Sequence, residues 1–135
     1  MTAALTPALA LDYIHNLSND VRAGVVLDST GTLLAGPEPL AAPARALLES
    51  APGATEIEGT IADGKAFAAR TDTHAIVIAT GPFALARLTR HDLRTAVSAL
   101  GGETPPNPRL ATAPEPATRT LIKAAQDPFR RNSAV

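Results

Sequence analysis

The residues through which this chain could do chemistry are ten arginines, three histidines and a few serines, and their spacing argues for contact rather than catalysis. His15, His74 and His91 stand far apart with no H-x-x-x-H pair, whereas a metal centre needs three or four convergent ligands. No metal is expected. Ser18, Ser29, Ser50 and Ser98 fall at helix ends, turns or a helix surface, without the sharp G-x-S-x-G turn that exposes a nucleophile. Gly64-Lys65 lacks the upstream glycine and the following Ser or Thr of a phosphate loop, and no G-x-G-x-x-G is present. No catalytic residue and no cofactor are therefore expected. One cluster remains: Arg87, Arg90, His91 and Arg94 share one side of a helix, away from Leu93 and Val97. Such a stripe is either a solvated face or a dock for an acidic partner or a phosphate. It is too small, and too poor in aromatic platforms, for nucleic acid.

The elements that must position this stripe are legible from periodicity. Thr6-Pro7 reads as an N-cap with proline at the first helical position. Leu9, Tyr13 and Leu17, with Ala10 and Ile14 alongside, then predict an amphipathic helix to about Ser18. Ala23–Leu27 and Thr32–Ala35 form a hairpin in which Gly31 supplies a positive φ. Gly36-Pro37 breaks it and leads into a helix with Leu40, Ala44, Leu47, Leu48 and Ala51 as its apolar stripe. Thr55–Ile61 alternates, Ile57, Gly59 and Ile61 against Glu56, Glu58 and Thr60, and Asp63-Gly64 is a two-residue hairpin signal before Lys65–Thr71. His74–Thr80 is almost wholly apolar. Ala23–Leu27 and Ala75–Ala79 are thus expected to be central strands, and the glutamate-bearing Thr55–Ile61 an edge. Residues 83–88 read either as the start of a helix or as a short extra strand. From Thr89 the pattern is helical, with Asp92 at capping-box spacing and a stop at Gly101-Gly102.

Composition sets the bounds. The chain has 135 residues, enough for one domain, and only four aromatic residues, so its core is built from Ala, Val, Ile and Leu. A core of such small side chains is marginal, and self-association would help it. A formal net charge of −1 supplies no field toward nucleic acid or anionic lipid, and no apolar run approaches a membrane span. With no cysteine and no basic n-region ahead of Asp12, the reading is a cytoplasmic protein without a signal peptide. Arg outnumbers Lys ten to two, as expected of a high-GC bacterial genome. Six of twelve prolines follow residue 103. The expected organisation is a domain over 1–102 and a Pro-rich, mostly disordered tail over 103–135, with a short helix over 118–127.

The element order, α-β-β-α-β-β-β-α, resembles the roadblock/LC7 family of the longin/profilin-like type. The segments that carry the likeness are AGVVLDSTGTLLAG, TEIEGTIADGKAFAAR and HAIVIATGPFALARL. The resemblance implies an α/β (α+β) fold, a single antiparallel five-stranded sheet sandwiched by helices, over residues 5 to 101. It implies a non-catalytic regulatory or scaffold protein, a homodimer whose partner is a small Ras-like GTPase in a bacterial signalling system. Carried onto this sequence, the dimer interface would use Leu40, Ala44, Leu47 and Leu48 from the second helix and Thr55, Ile57, Gly59 and Ile61 from the third strand. Apart from the resemblance, the helix spacing leaves Arg87, Arg90, His91 and Arg94 as the candidate partner-binding residues.

Two other readings stand beside it. A GAF or profilin-like small-molecule sensor would need a cavity with convergent polar groups, for which Tyr13, His74 and Arg70 are the candidates. Alternatively, Thr118–Phe129 could fold onto a partner, or back onto the domain, as an amphipathic anchor.

Overall fold

A computed structural model describes residues 5–17, 20–101 and 109–134, with the side chains of the last helix described through residue 126. The elements are α1 (Pro7–Leu17), β1 (Val21–Asp28), β2 (Leu33–Ala35), a 3-10 turn (Glu38–Leu40), α2 (Ala41–Glu49), β3 (Glu56–Ile61), β4 (Gly64–Arg70), β5 (His74–Thr80), α3 (Ala86–Gly101), β6 (Leu110–Thr112) and α4 (Glu115–Ala134). The strands form one sheet in the order β2-β1-β5-β4-β3-β6. Five pair antiparallel, and β6 adds parallel to β3. This is a mixed α/β fold.

Local chemistry sets the first elements. Thr6 Oγ1 accepts the Leu9 amide at 3.2 Å, satisfying one donor that a helix start leaves orphaned. The expected end of α1 at Ser18 lies outside the described residues. Between β1 and β2 the Asp28 carboxylate accepts the Thr30 and Thr32 amides, each at 2.9 Å, and Gly31 takes φ 87°. The turn expected there is present. Hydrogen bonding to Thr30 and Thr32 also holds the Asp28 carboxyl below its usual pKa.

Pleating separates two cores. On β4 and β5, Phe67, Ala69, Ile76 and Ile78 point to one face and pack against Ala10, Leu11 and Ile14 of α1 and Leu93, Ala96, Val97 and Leu100 of α3. Ala66, Ala68, Ala75, Val77 and Ala79 point to the other, against Leu40, Ala44 and Leu47 and against Leu121 and Ile122 of α4. β1 and β5 are central and buried on both faces, as their continuous apolar runs imply.

Several expectations change. No strand forms over 83–88: α3 already begins at Ala86, because Ala84 and Ala86 join the α1/α3 core and draw the helix backward. Thr89 is consequently buried inside the helix, its amide donating to the Leu85 carbonyl at 2.9 Å, rather than capping it. The middle hairpin turns one residue earlier than Asp63-Gly64. Ile61 pairs with Gly64, so Ala62 and Asp63 form the turn and Gly64 opens β4.

The largest change is at the C-terminal end. The extra strand is β6, and the stretch expected to be mostly disordered is β6 followed by the long helix α4. Its prolines misled: Pro114 and Pro116 sit at a helix start, where a missing amide costs nothing. The helix expected over 118–127 falls within α4. The expected stop at Gly102 lies outside the described residues, as do 103–108.

Candidate functional site

Two of the surfaces that concern function involve β3. The first is the face where a second subunit was expected. Leu40, Ala44, Leu47 and Ile57 are almost completely buried and Leu48 nearly so, beneath α2's own packing and α4. β6 runs along β3, pairing Glu56 with Leu110, Ile57 with Ala111 and Glu58 with Thr112. The Arg109 carbonyl accepts the Thr55 and Glu56 amides at 2.9 and 3.0 Å, and the Ala113 amide donates to the Glu58 carbonyl at 2.8 Å. Arg109 is fixed further: its amide donates to Thr55 Oγ1 at 2.7 Å and its Nε to the Gly53 carbonyl at 2.8 Å. β3 is therefore not the edge of the sheet.

Gly59 explains how α4 comes so close. A Cβ there would overlap Thr118 Oγ1 and stand 3.2 Å from the Ala113 methyl. A glycine inside a strand marks such an approach. Thr118, fully buried, turns its hydroxyl to the Pro114 carbonyl at 3.2 Å.

The second surface is the arginine stripe, and the structure divides it. Arg94 grips Glu56 through two hydrogen bonds, Nε to Oε2 at 2.6 Å and Nη2 to Oε1 at 3.0 Å. That bond raises the Arg94 pKa above its usual value. Arg90 Nη1 binds Glu58 Oε1, and its Nε lies 3.8 Å from Glu56 Oε1. Glu56 is only 4% exposed. The two carboxylates of the strand expected at the edge are instead neutralised from α3. Arg87 and His91 remain exposed.

Beside them lies an apolar surface that periodicity did not assign. Phe83 is 85% exposed and Leu85 69%, with Leu88 also exposed at the start of α3. The Phe83 amide donates to the Asp20 carboxylate at 3.1 Å, tying this segment to the end of α1 where Val21 pairs with Thr80. Leu9, Tyr13 and Leu17, expected on the buried stripe of α1, are exposed instead, while Ala10, Leu11 and Ile14 face the sheet. The PALALDYIHNL segment is apolar on two adjacent stripes, so 3.6-residue spacing fits either. The apolar run after Gly81-Pro82, FALA then Leu88, is the one signal that could have marked the surface, with Ala84 and Ala86 turned to the core and Phe83, Leu85 and Leu88 left outside.

The polar candidates for a ligand pocket do not converge. Arg70 caps α2: Nε donates to the Ala54 carbonyl at 2.7 Å, Nη1 to Leu48 at 3.2 Å, and Nη2 to Ala51. Burial holds its pKa below the usual arginine value. His74 Nδ1 is 2.9 Å from Thr73 Oγ1, and Tyr13 lies on the outer face of α1. Arg70 lines a cleft of about 310 Å³ with Asp28, Arg45 and Asp72, but Arg45 is engaged by the Gly31 carbonyl at 2.9 Å. Among the described residues no group of three or more His, Cys, Asp or Glu is placed to hold a metal ion, and no helix is long and apolar enough to cross a membrane.

No protein-family model matches the sequence, and no curated protein matches it. Solved structures do. The chain is similar to a roadblock/LC7 domain from Streptomyces avermitilis, with 14% identity and a TM-score of 0.60 over 72% of this chain and 96% of that one. A second roadblock/LC7 domain structure from the same organism aligns with 17% identity and a TM-score of 0.55, over 66% and 92%. The gliding protein MglB from Thermus thermophilus aligns with 16% identity and a TM-score of 0.53, over 69% and 84%. The chain has the roadblock/LC7 fold.

Proposed function

We propose that this chain is a non-catalytic regulatory or scaffold protein of the bacterial cytoplasm that holds a small Ras-like GTPase on its α1/α3 side. The observation that carries the reading is the exposed end of that side, where Phe83, Leu85 and Leu88 stand beside Arg87 and His91. An apolar centre flanked by cations is how a protein surface combines anchoring with orientation. The GTPase comes from the resemblance to the roadblock/LC7 family, whose fold the chain has. Arg90 and Arg94 have a different part in this reading: they brace β3 and leave docking to Arg87 and His91.

Calorimetric titration with the Ras-like GTPase of the same genome, loaded with GDP or with a GTP analogue, tests it. Binding is expected to one nucleotide state over the other. The double variant Phe83→Ser/Leu85→Ser should weaken it by about tenfold or more, since a few residues at the centre of an interface carry most of its binding energy. Absence of heat with either nucleotide would remove the GTPase from the account. Binding that the double variant leaves unchanged would remove the surface.

A further inference from the structure

The segment β6–α4 covers β3 and the apolar stripe of α2. With it lifted away, β3 becomes a six-residue sheet edge, more than β2 offers at the other side with three residues. An unpaired strand of that length is a template for another strand. Beside it would lie an apolar face of Leu40, Ala44, Leu47, Ile57 and Ile61. Contiguous apolar surface of this kind does not stay open to water.

The charge on β3 identifies what fits there. Glu56 and Glu58 would ordinarily repel a second copy of the same strand. Both are already paired, Glu56 with Arg94 and Glu58 with Arg90, on the opposite face of the sheet. The face of β3 turned toward α4 is therefore uncharged, and with the apolar stripe of α2 it could meet a second copy of itself about a two-fold axis.

We infer that β6–α4 is a strap that fills this surface in cis, and that a second copy of this chain and the strap compete for it. The strap is suited to exchange. β6 engages only residues 56–58 of β3, and α4 is seated chiefly by Thr118, Leu121 and Ile122. The seat on Gly59 is specific, because a side chain at that position would press on Thr118 and Ala113. With the strap docked the chain is a monomer. With the strap released it pairs. This inference does not depend on which protein docks at Phe83.

Sedimentation of the full chain at micromolar concentration, read together with backbone hydrogen exchange, tests it. The wild type should sediment at 13.9 kDa with β6 and α4 amides protected as one unit. Leu121→Asp/Ile122→Asp alters only the strap and should double that mass while exposing the α4 amides. Thr118→Phe, which blocks the seat on Gly59 by bulk without adding charge to the core, should act in the same direction and serves if the double variant does not fold. A wild-type dimer, with the strap protected or not, would overturn the inference. So would variants that expose α4, keep the β1, β4 and β5 amides protected and remain single chains.

Discussion

The two faces of the sheet are closed by different means. On the α1/α3 face the sheet contributes its large side chains, Phe67, Ile76 and Ile78, and α3 alone runs sixteen residues across it. On the α2/α4 face the same strands contribute mostly alanine: Ala66, Ala68, Ala75 and Ala79 around Val77. Small side chains let helices approach closely but bury little area each, at roughly 25 cal/mol per Å². α2, with nine residues, spans only about 14 Å, short of the width of five strands. The second face therefore needs a second helix, and the chain supplies it from beyond α3. One face is finished by the domain itself, the other by an addition that can come off.

Matched leucine truncations should separate the two most sharply. Leu93 and Leu121 are each fully buried, one on each face. Leu93→Ala should destabilise the whole fold by about 3 kcal/mol, the usual cost of a buried leucine cavity. Leu121→Ala creates a similar cavity, but the fold can escape it by undocking α4, so the global loss is capped by the free energy of that step. Urea midpoints should fall more for Leu93→Ala, while α4 amides should lose protection only in Leu121→Ala. Equal midpoints with uniform loss of protection would mean that both faces belong to one cooperative unit.

A smaller effect is expected at Gly59. Gly59→Ala places a methyl against Thr118 and should cost about 1–2 kcal/mol through overpacking. The pair Gly59→Ala/Thr118→Ala should recover part of that loss, giving a non-additive cycle. Additive costs would show that Gly59 serves its strand and not the approach of α4.

The difference between the faces also explains how much could be read beforehand. The hairpin at Asp28–Gly31, the central strands and the stripe of α2 depend on local patterns, periodicity and turn chemistry, and these were visible. Pairing between distant elements was not. Nothing in the spacing of Glu56 and Glu58 announces Arg94 and Arg90, thirty-two to thirty-eight residues away, so the glutamates mark an edge strand and the arginines a solvated or docking stripe. The strap was obscured for another reason. Proline count argued for disorder, while its anchors, Thr118, Leu121 and Ile122, make too short an apolar pattern to register until a face is known to need covering. Gly59 was the missed clue: a glycine in the middle of an alternating strand reports a close neighbour.

The smallest effect belongs to the end of the α2/α4 face that the strap leaves open, the cleft lined by Asp28, Arg45 and Arg70 with no residue of α4. Hydrogen bonds from Thr30 and Thr32 depress the Asp28 pKa in the folded chain. A carboxylate depressed on folding stabilises the fold above its unfolded pKa, about 3.9, and that stabilisation is lost as pH falls through the folded value. Asp28→Asn keeps the side-chain oxygen that accepts the Thr30 and Thr32 amides and removes only the charge. The wild type should therefore exceed Asp28→Asn in stability near neutral pH, with the gap closing below about pH 4. Urea midpoints of both proteins at neutral and acid pH measure the gap. Because the Asp28 carboxylate lies at the surface, away from α4, its loss should leave α4 protection unchanged, in contrast to every change made at the strap. A gap that widened on acidification would mean that the carboxylate is held above its usual pKa, and that this turn is organised by something other than the three donors gathered around Asp28.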